Sequence, residues 1–333
     1  MIENENKESD NTVASDEVSA TTENSAVSAQ PHDDKKHLGK PKNLGQRLIT
    51  AAFIAVLYAG FILLTIYADS RWFYGLVLVL SLTSAYEFSK AIGLSYAKPI
   101  SFFVYANILV GTLLFFLLSE YFEQRGGITA AFGTVVVMFI ICLAYVMMNP
   151  KLNMNNALST LFVMIYPETI LTYLLALSYL GEFSPVAIIM AFGATTLTDT
   201  MAYFIGSIFR GPKLCPHISP NKTVSGCIGG LGGGLLAGII IWVFAEFGIF
   251  NCEPIVYSGV ANFFHFVMLG LITAVSCQIG DLISSYIKRQ CNIKDFGNVL
   301  RGHGGFMDRI DGLIVSSVFI YAYFTVVRLV LGL

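Results

Sequence analysis

From about residue 48 onward the chain alternates long apolar runs with short polar breaks. Hydrocarbon about 30 Å thick needs roughly 20 apolar helical residues to cross it. Nine stretches meet that length, near 48 to 68, 72 to 92, 99 to 119, 127 to 148, 157 to 180, 184 to 206, 226 to 248, 261 to 284 and 312 to 332. The period-2 alternation of a membrane β-barrel is absent from them, and no internal repeat is visible. The pattern therefore predicts an all-α, polytopic integral membrane protein with about nine transmembrane helices.

Composition agrees and adds an amino-terminal exception. The 333 residues are 55% hydrophobic and only 13% charged, whereas soluble domains carry about 25% charged residues. The first forty or so residues are instead rich in Glu, Asp, Ser, Thr and Asn. Such a segment buries too little apolar surface to offset its ordering entropy, so residues 1 to 44 are expected to be a disordered tail. They lack the basic start and closely following apolar core of a signal peptide. The rest divides into amino-terminal helices (45 to 183) and a carboxyl-terminal region (184 to 333) where the polar chemistry gathers.

Charge along the chain tests the span count, because one extra or missing span would invert every later loop. With the amino terminus in the cytosol, seventeen of the twenty basic residues fall in cytosolic segments, and only Arg71, Arg125 and Arg328 fall outside. The carboxyl terminus is then expected outside a cell membrane. The six cysteines form no CxxC pair and have no ligand-like spacing to histidine, which argues against a zinc site. No nucleic-acid partner is expected.

Four polar features interrupt the apolar pattern. Asp199, in TTLTDTMAYFIG, places a carboxylate inside a span, with Tyr203 and Gly206 on its face. Burying that charge costs roughly 2.5 to 3.5 kcal/mol on insertion scales, so it needs a cation, a proton or a polar cavity. A hydrogen-bonded Asp locking two helices together is the simpler alternative. The next loop, PHISPNKTVSGCIGGLGGG, offers Ser219, Lys222, Thr223 and Ser225 as donors, and its glycines suit a phosphate cradle or close helix packing. In CQIGDLISSYIKR, helical spacing puts Asp281, Ser284, Ser285 and Lys288 on one stripe, either a reactive rim or a solvated helix end. Finally, KDFGNVLRGHGGFMDRIDG brackets His303 with glycines and opens the last span with Asp308 and Asp311. A helix amino terminus attracts phosphate, yet two carboxylates there repel it. Mg²⁺, which bridges one or two carboxylates to substrate phosphates, would resolve the conflict, and Asp281 could reach the same ion. Helix capping by the acidic pair, and loop hydrogen bonding by His303, remain the alternatives.

The stretch SSYIKRQCNIKDFGNVLRGHGGFMDRID, ending at Asp311, resembles the signature of the phosphatidate cytidylyltransferase (CDP-diacylglycerol synthase) family. The resemblance extends upstream through Gly280 and Asp281, SPNKT, and Asp199 with Tyr203. It implies transfer of a cytidylyl group from CTP to phosphatidic acid, giving CDP-diacylglycerol and pyrophosphate, with Mg²⁺ required. It further implies that Asp281 and Asp308 hold the metal, and that Asp311 and Asp199 support them. Lys288, Arg289, Lys294, Arg309, Lys222, Ser219 and Thr223 would receive phosphates, with Ser285 in the substrate site, His303 beside them, and a homodimer as the assembly. Ser225 stands where many relatives carry Glu, and Arg301 where a Pro or small residue is usual. The rival readings are a CTP-dependent lipid kinase or related lipid cytidylyltransferase and, in another class, a secondary transporter, whose ionisable groups tend to sit at midplane in repeated halves.

Overall fold

Each predicted apolar stretch is helical. The computed structural model describes residues 44–69, 71–257, 259–297 and 304–332. Almost all of the segment expected to be disordered lies outside them, as do Arg301 and His303. The helices are α1 (Leu44–Tyr67), α2 (Arg71–Ser95), α3 (Ser101–Tyr121), α4 (Gly126–Met148), α5 (Met154–Leu177), α6 (Gly181–Phe209), α7 (Val224–Glu246), α8 (Gly259–Gln290) and α9 (Asp311–Leu331). Helices α2 to α9 are long and apolar enough to cross a membrane, and Val56–Tyr67 is a shorter apolar part of α1.

Residues 101–148 are helical without a break, yet α3 and α4 are two limbs that double back. A Cβ on Gly127 would meet the Ser119 side chain and lie 3.0 Å from the Phe115 ring. A straight helix would hold Phe115 about 18 Å away along the axis. Elsewhere local chemistry sets the ends. Asn153 and Asn156 form a reciprocal capping box that starts α5. Arg210 takes a left-handed conformation (φ 40°) that stops α6.

Helices surrounded by lipid gain little from apolar burial against one another, so close packing must hold them. The glycine-rich run of α7 supplies it on two faces. A Cβ on Gly233 would sit 2.6 Å from the Leu197 carbonyl oxygen of α6, and one on Gly238 would strike the Phe266 carbonyl of α8. Gly233 and Gly238 therefore bring three backbones together, the close helix packing that is one of the two readings of the glycine-rich run. Outward faces of α3 and α4 carry exposed Leu109, Leu113, Val136 and Ile140, as lipid contact requires.

Two features depart from expectation. The loop after α6 contains a two-stranded antiparallel hairpin, β1 (Lys213–Cys215) and β2 (Ser219–Thr223), a small addition to an all-α bundle. Helix α8 also continues six residues past the predicted end at 284. The ends of α6 and α8, the starts of α7 and α9, and the hairpin gather at one end of the bundle. Ser95, closing α2, joins them by donating to the Cys291 carbonyl at 2.8 Å. At the opposite end Arg328 reaches the Leu180 carbonyl at 3.3 Å.

Candidate active site

A cavity of about 480 Å³ lies at the hairpin end, walled by α6, β2, the start of α7, and α8. Asp199, Tyr203 and Gly206 line it from one stripe of α6, as their spacing predicts. Lys222 and Thr223 enter from β2, Asp281 and Gln278 from α8. The strand register Lys213↔Thr223 and Cys215↔Ser219 fixes where Lys222 points. Its ammonium pairs with Asp281 Oδ2, with both side chains half-buried. Thr223 works locally as well: its hydroxyl accepts from the Gly226 N–H at 3.1 Å and caps α7. Ser225 accepts from the Gly211 N–H at 3.2 Å, tying the hairpin's base to the helix.

The second group of carboxylates comes from the crossing of α8 over α9. A Cβ on Gly280 would stand 2.6 Å from the Asp311 carbonyl, and one on Gly312 would stand 2.5 Å from Cys277 Sγ. Two glycines thus let the helices touch where each carries an acid. Asp311 is buried and accepts from the Gly312 N–H at 2.9 Å. Asp281 is the electrostatic neighbour of both Asp199 and Asp311. Lys222 and Arg309 act on Asp199, and Lys288 on Asp311. Cys277 completes the contact by donating its thiol to Asp199 at 3.6 Å.

Asp308 is held differently. Its carboxylate accepts from Lys288 Nζ at 2.7 Å and from the backbone N–H groups of Phe296 and Gly305, both at 3.0 Å. Lys288 also stands over the Phe296 ring, 5.4 Å from its centroid. Asp308 therefore ties Phe296 to Gly305 while pairing with the stripe of α8 that begins at Asp281. Seven residues separate Asp281 from Lys288, about 10 Å along a helix. The other brace comes from Glu87 on α2, a residue sequence reasoning passed over. Buried at 1% exposure, it accepts the Met307 N–H at 2.9 Å and packs against Gly297 and Gly305. A carboxylate inside an apolar span is a functional signal wherever it occurs, so the principle that singled out Asp199 could have found Glu87.

The remaining predicted residues divide. Ser285 is buried on the same stripe as Asp281 and Lys288. Arg289 donates to the Ile218 carbonyl at 3.2 Å and so fastens the hairpin to α8. Ser219 opens β2, and Lys294 is exposed beyond the end of α8. Among the described residues no group of three or more His, Cys, Asp or Glu side chains is arranged as a ready-made metal site. The donor set still suits a hard divalent cation that brings its other ligands with it. Four carboxylates, Asp199, Asp281, Asp308 and Asp311, meet three cations, Lys222, Lys288 and Arg309. Excess negative charge on that rim opposes a bound triphosphate unless a further cation is present. A carboxylate has about four acceptor positions, and Asp308 already uses three of them.

The profile of the cytidylyltransferase family matches residues 46–327. Phosphatidate cytidylyltransferase of Brucella abortus biovar 1 (strain 9-941) is 38% identical over 145 residues, 42% of this chain and 47% of that protein. The chain thus spans about half the length of those Brucella relatives. The phosphatidate cytidylyltransferase of Bacillus subtilis (strain 168) is 30% identical over 64% of this chain and 76% of its own length. That of Aquifex aeolicus (strain VF5) is 29% identical over 85% of this chain and 93% of its own length. A profile match running from α1 into α9, over a bundle whose acids and bases converge at one end, places the chain in the cytidylyltransferase family.

Proposed function

We propose that this protein transfers the cytidylyl group of CTP to phosphatidic acid, forming CDP-diacylglycerol and pyrophosphate for phospholipid synthesis. The observation that carries the reading is the mixed-charge rim, in which the Lys222–Asp281 and Lys288–Asp308 pairs adjoin Asp199, Asp311 and Arg309 at one end of a membrane bundle. A phosphate oxygen of phosphatidate attacks the α-phosphorus of CTP, the bond to the β-phosphate oxygen breaks, and pyrophosphate leaves with that electron pair. No side chain has to act as nucleophile, because the lipid phosphate is one already. The protein's work is positioning and charge neutralisation. Lys222 and Lys288 draw the triphosphate to the rim, and the α8–α9 crossing keeps the acids at fixed separations.

Asp281 and Asp308 are the residues that would hold Mg²⁺, with Asp311 and Asp199 in support. When bound, the ion supplies positive charge to the α-phosphoryl group and the departing pyrophosphate. On this reading the rim faces the cytosol, where CTP is available, the carboxyl terminus lies outside, and the assembly is a homodimer. The homodimer rests on the family resemblance alone.

The test is to incubate purified protein in detergent or bicelles with phosphatidate, labelled CTP and Mg²⁺, and to identify both products. CDP-diacylglycerol with stoichiometric pyrophosphate supports the reading. Release of CDP with phosphorylated lipid would make the protein a kinase and overturn it.

A further inference from the structure

On the other side of α6 from the polar cavity lies a second chamber, and its chemistry is that of a lipid. It has a volume of about 580 Å³ and runs between α1, α6 and α7, within the 300 to 1,000 Å³ usual for ligand sites. Ile66, Phe244 and Phe250 line its far end, and its walls are mostly apolar. Its near end is different: Thr196 and Thr200 sit one helical turn apart on α6, and Arg309 comes in from the turn before α9. An apolar groove with one guanidinium at the reactive end has the complementarity of an acyl chain carrying an anionic headgroup.

Helix α6 makes the arrangement specific. Asp199 opens on the polar cavity, and its neighbour Thr200 opens on the groove. Arg309 lines the groove while acting electrostatically on Asp199, so it stands where the two chambers come closest. Guanidinium recognises phosphate through paired N–H donors. We infer that the groove between α1, α6 and α7 seats an acyl chain of phosphatidate, with Arg309 holding the lipid phosphate, while Lys222 and the cavity across α6 take the nucleotide. This rests on the proposed cytidylyl transfer and adds to it the division of the two substrates between the faces of one helix. It also gives a reason for selecting a phosphate monoester over diacylglycerol or phosphatidylcholine, since the first presents a doubly charged terminal phosphate to Arg309 and the others do not.

Phosphatidate bearing a photoreactive diazirine on one acyl chain is the probe, irradiated with the full-length protein in bicelles without CTP, with crosslinks mapped by mass spectrometry. Crosslinks should concentrate on 58–66, 192–200 and 237–244. They should fall about tenfold when unlabelled phosphatidate competes or when Arg309→Gln is used, and phosphatidylcholine should not displace them. A steric variant, Ala237→Phe, should raise KM for phosphatidate about tenfold with KM for CTP within about twofold. Crosslinks gathered instead on another apolar groove, such as that at Phe264, Met268 and Val326, would overturn the inference, as would equal displacement by phosphatidylcholine. Turnover assayed on the same preparation separates the two readings. Normal CDP-diacylglycerol formation with crosslinks elsewhere removes the groove and keeps the activity, whereas no turnover of CTP and phosphatidate removes both.

Discussion

Glu87 and Asp308 converge on Gly305 and the described residues around it. Glu87 receives Met307 and packs on Gly297 and Gly305, while Asp308 receives Phe296 and Gly305. Glu87→Ala leaves the buried Met307 N–H without an acceptor, a loss of about 1–3 kcal/mol. It should lower both the melting temperature in detergent and the rate of cytidylyl transfer. Glu87→Gln keeps an acceptor oxygen and should recover most of the stability. Equal stability and rate in Glu87→Ala and the wild type would show that the loop needs no brace from α2. Lys288→Ala acts on the other brace, leaving the Asp308 carboxylate its N–H donors at Phe296 and Gly305 but without the lysine that pairs with it. Its KM for CTP should rise, and unchanged kinetics would take Lys288 out of the site. Asp199 and Asp281 were legible in the sequence because each breaks an apolar helix at a spacing that predicts its face, and Lys222 because it stands in a polar, glycine-bearing loop. Glu87 was as visible a break, but nothing near it in sequence hinted at phosphate. Its partner lies 220 residues away.

Close approach of glycine faces decides which helices become neighbours. The seam of α7 against α8 pairs Gly234 with Gly270, and Gly238 with Phe266. Gly238→Ala forces a methyl group into the Phe266 carbonyl and should cost about 1–3 kcal/mol of stability through overpacking, read as a lower melting temperature. An unchanged melting temperature would mean that the seam is looser than drawn. The nine helices could be placed to within a few residues from hydropathy alone, because crossing hydrocarbon constrains length so strongly. The hairpin could not. Its strands are three and five residues long, and SPNKT has no apolar alternation to betray it. Arg289 and the cap at Thr223 hold it in place, and both contacts are tertiary or local capping effects. Nor did hydropathy reveal that α8 outlasts its apolar run. Ser284, Ser285 and Ile287 are buried in protein there, so polar residues continue a helix that hydropathy would end.

At the scale of the whole molecule, one end of the bundle holds the hairpin, both lysine–aspartate pairs and the glycine loop, and the other holds Ile66, Leu180, Asn251 and Arg328. The excess of basic residues on the first side predicts that it faces the cytosol. In right-side-out vesicles an impermeant maleimide should label Asn251→Cys and spare Lys213→Cys, and in inverted vesicles the preference should reverse. The opposite pattern would put the rim on the side without CTP. Sequence reasoning reached this end of the molecule through charge segregation, but it could not see how α8 and α9 cross, since that depends on two glycines, Gly280 and Gly312, meeting across space. On the proposed reading this crossing assembles acids and bases into one reactive rim. The most direct measurement of that reading is Mg²⁺-dependent transfer of label from CTP to lipid by Asp281→Asn and Asp308→Asn, each shown to insert and melt like the wild type. Both should lose about 100- to 1,000-fold in rate, and near-normal turnover in the two variants would contradict the account.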